Sequence, residues 1–195
     1  MHEMNPVAID NDFLVHLLDI KKHPDLEQLI KRFFAALQVH VSMHPMVYQH
    51  ETAILKNPLC ANLLADSTIS IVELDSIWAR KPGGKRYYSM MVQEIYKDFT
   101  GHKYPFPDVL GNWKAQCSLG EVHTVVMCAF LLWDCFLSDD NEAASKLQVI
   151  VQNKLNWEVN IFSRKNRCES LKNIDPSHRQ GLTSSELKKL AHSRT

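Results

Sequence analysis

The sequence predicts an α/β fold built on a central parallel sheet. Short apolar runs, of which Val7 to Ile9 is the first, alternate along the chain with longer segments whose apolar residues recur at helical spacing. This β-α-β order favours parallel strands, because a parallel connection needs a crossover that is usually a helix. With 195 residues, 45% of them hydrophobic, the chain can bury one sizeable core. We therefore expect a single α/β domain over residues 1–163.

The first fifty residues predict a strand, two helices, a second strand and a third helix. The strand at residues 7–9 ends at Asp10, and leucines at helical spacing follow it. Residues 25–37 place their large apolar side chains on one helix face. Residues 39–43 alternate as a strand does. Pro45 opens the next helix, because proline lacks the N–H that would be unpaired at a first helical position.

The middle of the chain, residues 59–112, is predicted to be a helical insertion or cap. It holds a helix near residues 69–78 and an amphipathic helix near residues 87–99. A loop marked by glycine and prolines follows. Residues 121–131 then form a strongly apolar helix, which we expect to be central.

The end of the chain returns to the alternation of strand and helix before its composition changes. A strand at residues 135–137, a helix and a last strand around residues 157–162 complete the domain. From Arg164 onward, eight Lys or Arg stand against three Asp or Glu, and large apolar residues are few. We expect residues 164–195 to be a poorly packed basic tail. Within it, residues 182–187 carry a capping pattern that predicts a short terminal helix.

Composition argues against several classes of function. Lys and Arg total 22 and Asp and Glu total 22, so no global basic field draws the protein to nucleic acid or to an anionic membrane. The longest apolar run, residues 125–133, is about half of the roughly 20 residues that a membrane-spanning helix needs. The N-terminus does not resemble a secretory signal. We expect no membrane association.

The cysteines and a group of histidines do not predict a zinc site. The five cysteines are odd in number and scattered, without a CxxC pair, which fits neither a disulfide framework nor a structural zinc site. A reducing cytoplasm is the expected compartment. His40, His44 and His50 lie close in sequence, but Pro45 interrupts the segment. We interpret them as surface histidines rather than as zinc ligands.

A basic turn lies between the two predicted helices of the insertion. Its cationic side chains could hold phosphates while the adjacent Tyr87 and Tyr88 stack on bases, as in proteins that bind single strands. A solvated hairpin between helices is an equally good interpretation. The candidate nucleic-acid-binding residues are Arg80, Lys81, Lys85 and Arg86.

Four acidic residues carry the strongest functional signal. Asp10 and Asp140 directly follow strand-like runs, and ligands of an open parallel sheet collect beyond the carboxyl ends of its strands. Glu51 and Glu121 lie on helices that we expect beside the same edge. Carboxylates gathered in one place raise one another's pKa values, and a bound cation removes that conflict. Oxygen ligands suit Mg²⁺ or Mn²⁺, which can activate water for phosphodiester hydrolysis.

Four stretches, in chain order, also resemble the PIN-like superfamily of metal-dependent nucleases. VAIDNDFLVHLL is similar to that family's first strand and acidic motif, and VSMHPMVYQHE to its second strand, proline-led helix and acidic residue. LGEVHTVVMCAFL resembles its Gly-Glu helix. FLSDDNEAASKL resembles its strand that ends in Ser or Thr, any residue, then Asp. The resemblance covers about residues 5 to 162.

The resemblance implies a three-layer α/β/α domain that acts as an endoribonuclease. Its catalytic and metal-coordinating residues, for Mg²⁺ or Mn²⁺, would be Asp10, Glu51, Glu121 and Asp140. Ser138 would orient the site by hydrogen bonding, with Asp12 and Asp139 as accessory residues. The expected substrate is RNA. Toxin relatives of the family further imply a homodimer and a cognate antitoxin as partner.

Three other interpretations fit the same residues. Asp10 and Asp140 can be helix N-caps, where Asp is favoured for backbone reasons alone. The Asp-Asn-Asp sequence that starts at Asp10 also resembles the nucleophile and acid of haloacid-dehalogenase-like phosphatases, with Asp12 as the acid and Asp139 or Asp140 on Mg²⁺. That interpretation leaves the two glutamates without a role. The third is a catalytically silent PIN-like module that binds RNA or a protein partner.

Overall fold

A five-stranded parallel sheet forms the centre of the protein. The computed structural model describes residues 5–20, 23–50, 56–79, 82–109 and 118–192. The strands are β1 (Asn5–Ile9), β2 (Val39–Met43), β3 (Ile69–Ile71), β4 (Cys135–Leu137) and β5 (Asn160–Phe162). Every pair is parallel and the order across the sheet is β3-β2-β1-β4-β5. The predicted α/β fold with a central parallel sheet is confirmed.

Helices connect the strands and cover the sheet. In the described part of the chain they are α1 (Asn11–Leu18), α2 (Leu26–Leu37), α3 (Pro45–His50), α4 (Pro58–Ala65), α5 (Leu74–Trp78), α6 (Gly84–Thr100), α7 (Leu119–Leu131), α8 (Asn141–Leu155), α9 (Arg164–Lys172) and α10 (Ser184–His192). The predicted role of Pro45 as the first helical residue is confirmed. Within the same ranges, no helix is long and apolar enough to cross a membrane.

Two apolar clusters lie on opposite sides of the sheet. Val7 and Ile9 belong to the first cluster and Ala8 to the second, because successive side chains of a strand point to opposite faces. Buried residues of α1, α2, α4, α9 and α10 complete the first cluster, and those of α5, α6, α7 and α8 the second. This arrangement is compatible with three layers.

The predicted insertion contributes a strand to the central sheet. The segment that begins at Ile69, predicted to be helical, forms β3 instead, and Val41 of β2 is the partner of Ile69. The helix prediction is correct only from Leu74 onward, where α5 begins. A run of three residues is too short for its periodicity to distinguish a strand from a helix. The expectation of an entirely helical cap is therefore wrong.

The C-terminal residues are packed, so the prediction of a poorly packed tail is wrong. Leu187 and Leu190 are fully buried in the first cluster. The predicted terminal helix is confirmed as α10: Thr183 Oγ1 accepts the backbone N–H of Glu186 at 3.2 Å, and the Glu186 carboxylate accepts that of Thr183 at 2.8 Å. A few leucines at helical spacing suffice to dock the helix, and the average composition of the segment hides them.

Candidate functional site at the carboxyl edge of the sheet

The candidate site lies at the carboxyl ends of β1 and β4. The chain builds from β1 toward β3 on one side of the sheet and then returns to add β4 and β5 on the other, so the order reverses between β1 and β4. Open α/β sheets bind their ligands outside the strands at such a reversal. Ile9 pairs with Leu137, and the Asp10 N–H donates to the Leu137 carbonyl oxygen at 2.9 Å. The same register places Asp10 beside Ser138.

Asp10 is the buried carboxylate at the centre of the site, with 2% of its surface exposed. It accepts the Asn11 N–H at 2.7 Å and the Ser138 hydroxyl at 3.2 Å. Throughout the described ranges, no Lys, Arg or His side chain lies within ion-pair distance of it. Burial, followed by the negative charges of Glu121 and Asp12, raises the pKa of Asp10 well above its ordinary value.

Glu121 and Asp12 bring negative charge to Asp10 from two different helices. Glu121 is half-buried in the first turn of α7, and Asp12 is exposed in the first turn of α1. Asp10 is itself the N-cap residue of α1, so the alternative interpretation of Asp10 as a helix cap is confirmed. A cap alone does not account for the approach of Glu121 across the sheet edge. Of the predicted site residues, Ser138 therefore contacts Asp10 directly, while Glu121 and Asp12 lie close enough to act on the Asp10 carboxylate electrostatically.

Asp140 lies at the rim of the site. Its exposed carboxylate accepts the Ala143 N–H at 3.0 Å, which makes it the N-cap of α8. Its backbone N–H donates to Ser138 Oγ at 3.3 Å, so one hydroxyl joins Asp140 to Asp10. Asp140 and Asp12 line a polar crevice of about 380 Å³. Asp140 therefore links the crevice to the Asp10 carboxylate through Ser138.

Asp139 has a different environment although it is the neighbour of Asp140. Its carboxylate pairs with His16 Nδ1 at 2.8 Å and with the Arg164 guanidinium, and it accepts the Arg164 backbone N–H at 2.9 Å. The Asp139 and Arg164 side chains are only 11% and 6% exposed. Arg164 also donates to the carbonyl oxygen of Leu190 at 3.0 Å. Asp139, predicted as an accessory site residue, is thus engaged in an ion pair that holds the C-terminal helices.

Of the remaining predicted residues, the structure describes Lys85 and Arg86, both in the first turn of α6. Outside the described residues lie Glu51, Arg80 and Lys81. Lys85 Nζ lies 5.8 Å from the centre of the Trp78 ring, and Arg86 is exposed on α6. Stacking of Tyr88 on bases was one of two interpretations of the basic turn, and the complete burial of Tyr88 contradicts it for this residue.

A buried chain of hydrogen bonds, which sequence analysis missed, crosses the second cluster near the site. His44 Nδ1 accepts the Met46 N–H at 3.0 Å, so the proton of the neutral ring is on Nε2, which donates to Tyr88 Oη at 2.8 Å. The Tyr88 hydroxyl donates to His123 Nδ1 at 3.0 Å, and His123 Nε2 donates to Tyr104 Oη at 3.1 Å. His44 was predicted to be on the surface, and its complete burial contradicts that.

This chain is neutral and supports the first turn of α7. Burial lowers the pKa of His44 well below its ordinary value and that of His123 to about 3, and it raises the pKa of the Tyr88 hydroxyl. The chain begins at a backbone N–H and ends at the Val109 carbonyl oxygen, 3.4 Å from Tyr104 Oη. Neither of these backbone groups can relay a proton further. We therefore assign this series of hydrogen bonds a structural role, which is to hold α3, α6 and α7 in place. His123 within the apolar run of α7 was the signal in the sequence, since a buried polar ring needs partners.

The donor atoms at the site suit a hard cation. Among the residues that the structure describes, no three His, Cys, Asp or Glu side chains are grouped to hold a metal ion. Mg²⁺ is commonly bound through one or two carboxylates, with waters and substrate phosphates completing its shell. Asp10 and Glu121 supply such a pair, made only of oxygen donors. The residues therefore fit Mg²⁺ or Mn²⁺ by their chemistry.

Comparison of the chain with models of protein families, with curated proteins and with solved structures gave no match. The functional interpretation therefore depends on the residues themselves. Two features carry it: the position of Asp10 at the reversal of strand order, and the approach of Glu121 and Asp12 to a buried carboxylate.

Proposed function

We propose that the protein is a divalent-metal-dependent endoribonuclease of the PIN-like type, with its metal site built on Asp10 and Glu121. The observation that carries the proposal is the buried Asp10 carboxylate, whose pKa is raised by burial and by Glu121 and Asp12. Like charges are unfavourable at such a position unless a cation or a proton offsets them. A divalent cation at this edge would offset the negative charges of Asp10, Glu121 and Asp12. It could also bind the phosphate of a phosphodiester substrate.

The residues around Asp10 have separate tasks in this proposal. Ser138 and the Asn11 N–H each hold one carboxylate oxygen of Asp10, which fixes its orientation. Asp12 and Asp140, on the crevice wall, would hold ordered water beside the phosphate. A bound Mg²⁺ or Mn²⁺ supplies Lewis-acid polarisation of the phosphoryl oxygen and lowers the pKa of its water. Glu51 is a further carboxylate of the site on sequence grounds alone.

The choice of RNA as substrate follows from the motif resemblance, whereas action in the cytoplasm follows from the scattered cysteines. The same resemblance favours an antitoxin-like protein partner and a homodimer, as in toxin relatives of the family. The crevice itself favours a polar ligand over an apolar one, because its described lining combines Asp12, Asp139 and Asp140 with Lys165 and the buried Arg164, whose charge is paired with that of Asp139.

The test is cleavage of labelled RNA by the purified protein with Mn²⁺, with Mg²⁺ and with EDTA. We expect cleavage that needs the metal and that falls at least about a hundredfold in Asp10→Asn and Glu121→Gln, since each removes a ligand charge. Matched controls are Asp19→Asn and Glu158→Gln, which change exposed carboxylates away from the site and should retain activity.

A phosphate monoester assayed in parallel separates the rival interpretations. Monoester hydrolysis that needs Asp10 but not Glu121 would support the phosphatase and contradict the nuclease. RNA binding without cleavage under any metal condition would support the silent module. Cleavage that survives in both Asp10→Asn and Glu121→Gln would place the chemistry elsewhere.

A further inference from the structure

A groove of about 600 Å³ lies between the outer face of α6 and the loop that follows it. Met90, Gln93 and Lys97 line it from the helix, and Lys103, Tyr104 and Phe106 line it from the loop. Phe106 is half-buried and its ring centre lies 6.3 Å from that of Tyr104, in an edge-on arrangement. The groove therefore offers an aromatic ring between two lysines.

The charges on the groove favour an anionic ligand. Lys97 and Lys103 are exposed, and no carboxylate within the described ranges forms an ion pair with either. The one acid in the described lining, Glu94, shares Lys154 of α8 with Asp98: Lys154 Nζ lies 3.6 Å from Glu94 Oε2 and 3.1 Å from Asp98 Oδ2, so the charge of Glu94 is offset only in part from outside the groove. The side chains of Lys97 and Lys103 can therefore contact a ligand, and two neighbouring positive charges attract a polyanion.

The cationic surface continues along α6. Arg86, Met90, Gln93 and Lys97 are spaced i, i+4, i+7 and i+11, which places them on one helix face, and all four are exposed. The stripe is about 16 Å long at the helical rise of 1.5 Å per residue. Met90, which is 44% exposed, adds an apolar side chain to this stripe. A linear polyanion with flat apolar groups matches this pattern better than a single phosphate does.

The groove wall is joined to the helix that carries Glu121. Tyr104, in the groove wall, accepts a hydrogen bond from His123 of α7 at 3.1 Å, and Glu121 lies in the first turn of the same helix. The groove and the candidate site thus share α7 as a common support.

We propose that this groove binds single-stranded RNA beyond the cleaved bond, with Phe106 stacking on a base and Lys97 and Lys103 holding phosphates. The proposal deepens the function proposed above and rests on it for the identity of the strand as substrate. Proteins that bind single strands combine a basic groove with aromatic rings in this way, and each stacked base contributes appreciably to affinity.

Binding is measured by fluorescence anisotropy of a short labelled single-stranded RNA in EDTA, where no metal-dependent cleavage occurs. We expect Lys97→Glu with Lys103→Glu to weaken binding about tenfold or more and to flatten the dependence of log affinity on log salt by about 1.4, which is two phosphate contacts at about 0.7 each. Phe106→Ala should weaken binding about tenfold, and Phe106→Trp should restore it, because tryptophan retains a stacking face.

The controls match each change at a remote position. Lys188→Glu reverses a charge on the exposed face of α10, and Val149→Ala truncates an exposed apolar side chain on α8. Groove variants that bind RNA as tightly as these controls would overturn the proposal, and so would equal competition by polyglutamate. Because binding is read without metal, loss of binding in the groove variants supports the groove even if the wild-type protein cleaves nothing. In that case only the nuclease proposal fails.

Discussion

Two aspartates at the same sheet edge, the buried Asp10 after β1 and the half-buried Asp139 after β4, have opposite electrostatic surroundings. Asp139 is paired with Arg164 and His16 and receives a backbone N–H as well. Asp10 receives two hydrogen bonds, but its charged neighbours are Glu121 and Asp12. The charge of Asp139 is thus neutralised by partners within the protein, whereas Asp10 lies near further negative charge.

The difference separates a structural carboxylate from a candidate ligand. Asp139 and Arg164 join the end of β4 to α9 and α10, so their charges are used within the fold. Asp10 is costly to the fold, because burial and its neighbours both oppose its ionisation. Proteins retain such strained charges mainly at functional sites. Burial alone does not distinguish the two residues, whereas their partners do.

The largest effect on stability is expected for Asp139→Asn. The change leaves the Arg164 guanidinium buried without its carboxylate, and breaking a buried pair in this way typically costs about 3–5 kcal/mol. Urea denaturation measures it against the wild-type protein, with Asp10→Asn as the matched variant at the same edge. A loss below about 1 kcal/mol would show that Asp139 and Arg164 are not the structural pair of this edge.

The next effect concerns the support of Glu121. Tyr88→Phe removes the hydroxyl that joins His44 to His123 and leaves two buried ring nitrogens without that partner. Each such group costs about 1–3 kcal/mol, so we expect a loss of about 3 kcal/mol in unfolding free energy. Tyr96→Phe, at a buried position about two turns further along α6, is the control. Equal stability of the two variants would contradict a stabilising role for the hydrogen bonds of the Tyr88 hydroxyl.

The smallest effect is a pH dependence that differs in sign between Asp10 and an ordinary paired carboxylate. The raised pKa means that folded Asp10 binds its proton more tightly than unfolded Asp10, so its burial costs stability as pH rises above the ordinary value of 3.8. In EDTA, the stability of Asp10→Asn relative to wild type should therefore increase with pH, by at most about 1.4 kcal/mol per pH unit up to the raised pKa. Denaturation curves at several pH values measure it. A difference that is constant with pH would contradict the raised pKa.

Much of the fold could be predicted because periodicity is a local property. Strands β1, β2 and β4 and helices α2, α7 and α8 agree with the apolar patterns of their sequences. The strand β3 could not be predicted, because three residues carry too little pattern. The packing of α9 and α10 was missed because it depends on Asp139 and Arg164, which are 25 residues apart in sequence.

The site was predictable in part for the same reason. Asp10, Ser138 and Glu121 follow recognisable strand and helix boundaries, so their common edge follows from the parallel topology. The separate roles of Asp139 and Asp140 depend on which neighbour each side chain contacts, and adjacent positions give no such information. The buried partners of His44 lie on α6 and α7, far along the chain, and no local pattern links them.

The most direct test of the central claim is the unfolding free energy of the wild-type protein and of Asp10→Asn, each in EDTA and in excess Mn²⁺. A ligand that binds only the folded state at a hundred times its dissociation constant stabilises it by about 2.7 kcal/mol. We expect Mn²⁺ to stabilise the wild type by about this amount and to leave the stability of Asp10→Asn unchanged, while in EDTA the variant is at least as stable as the wild type. Equal responses of the two proteins to Mn²⁺, or none in either, would contradict a metal site at Asp10.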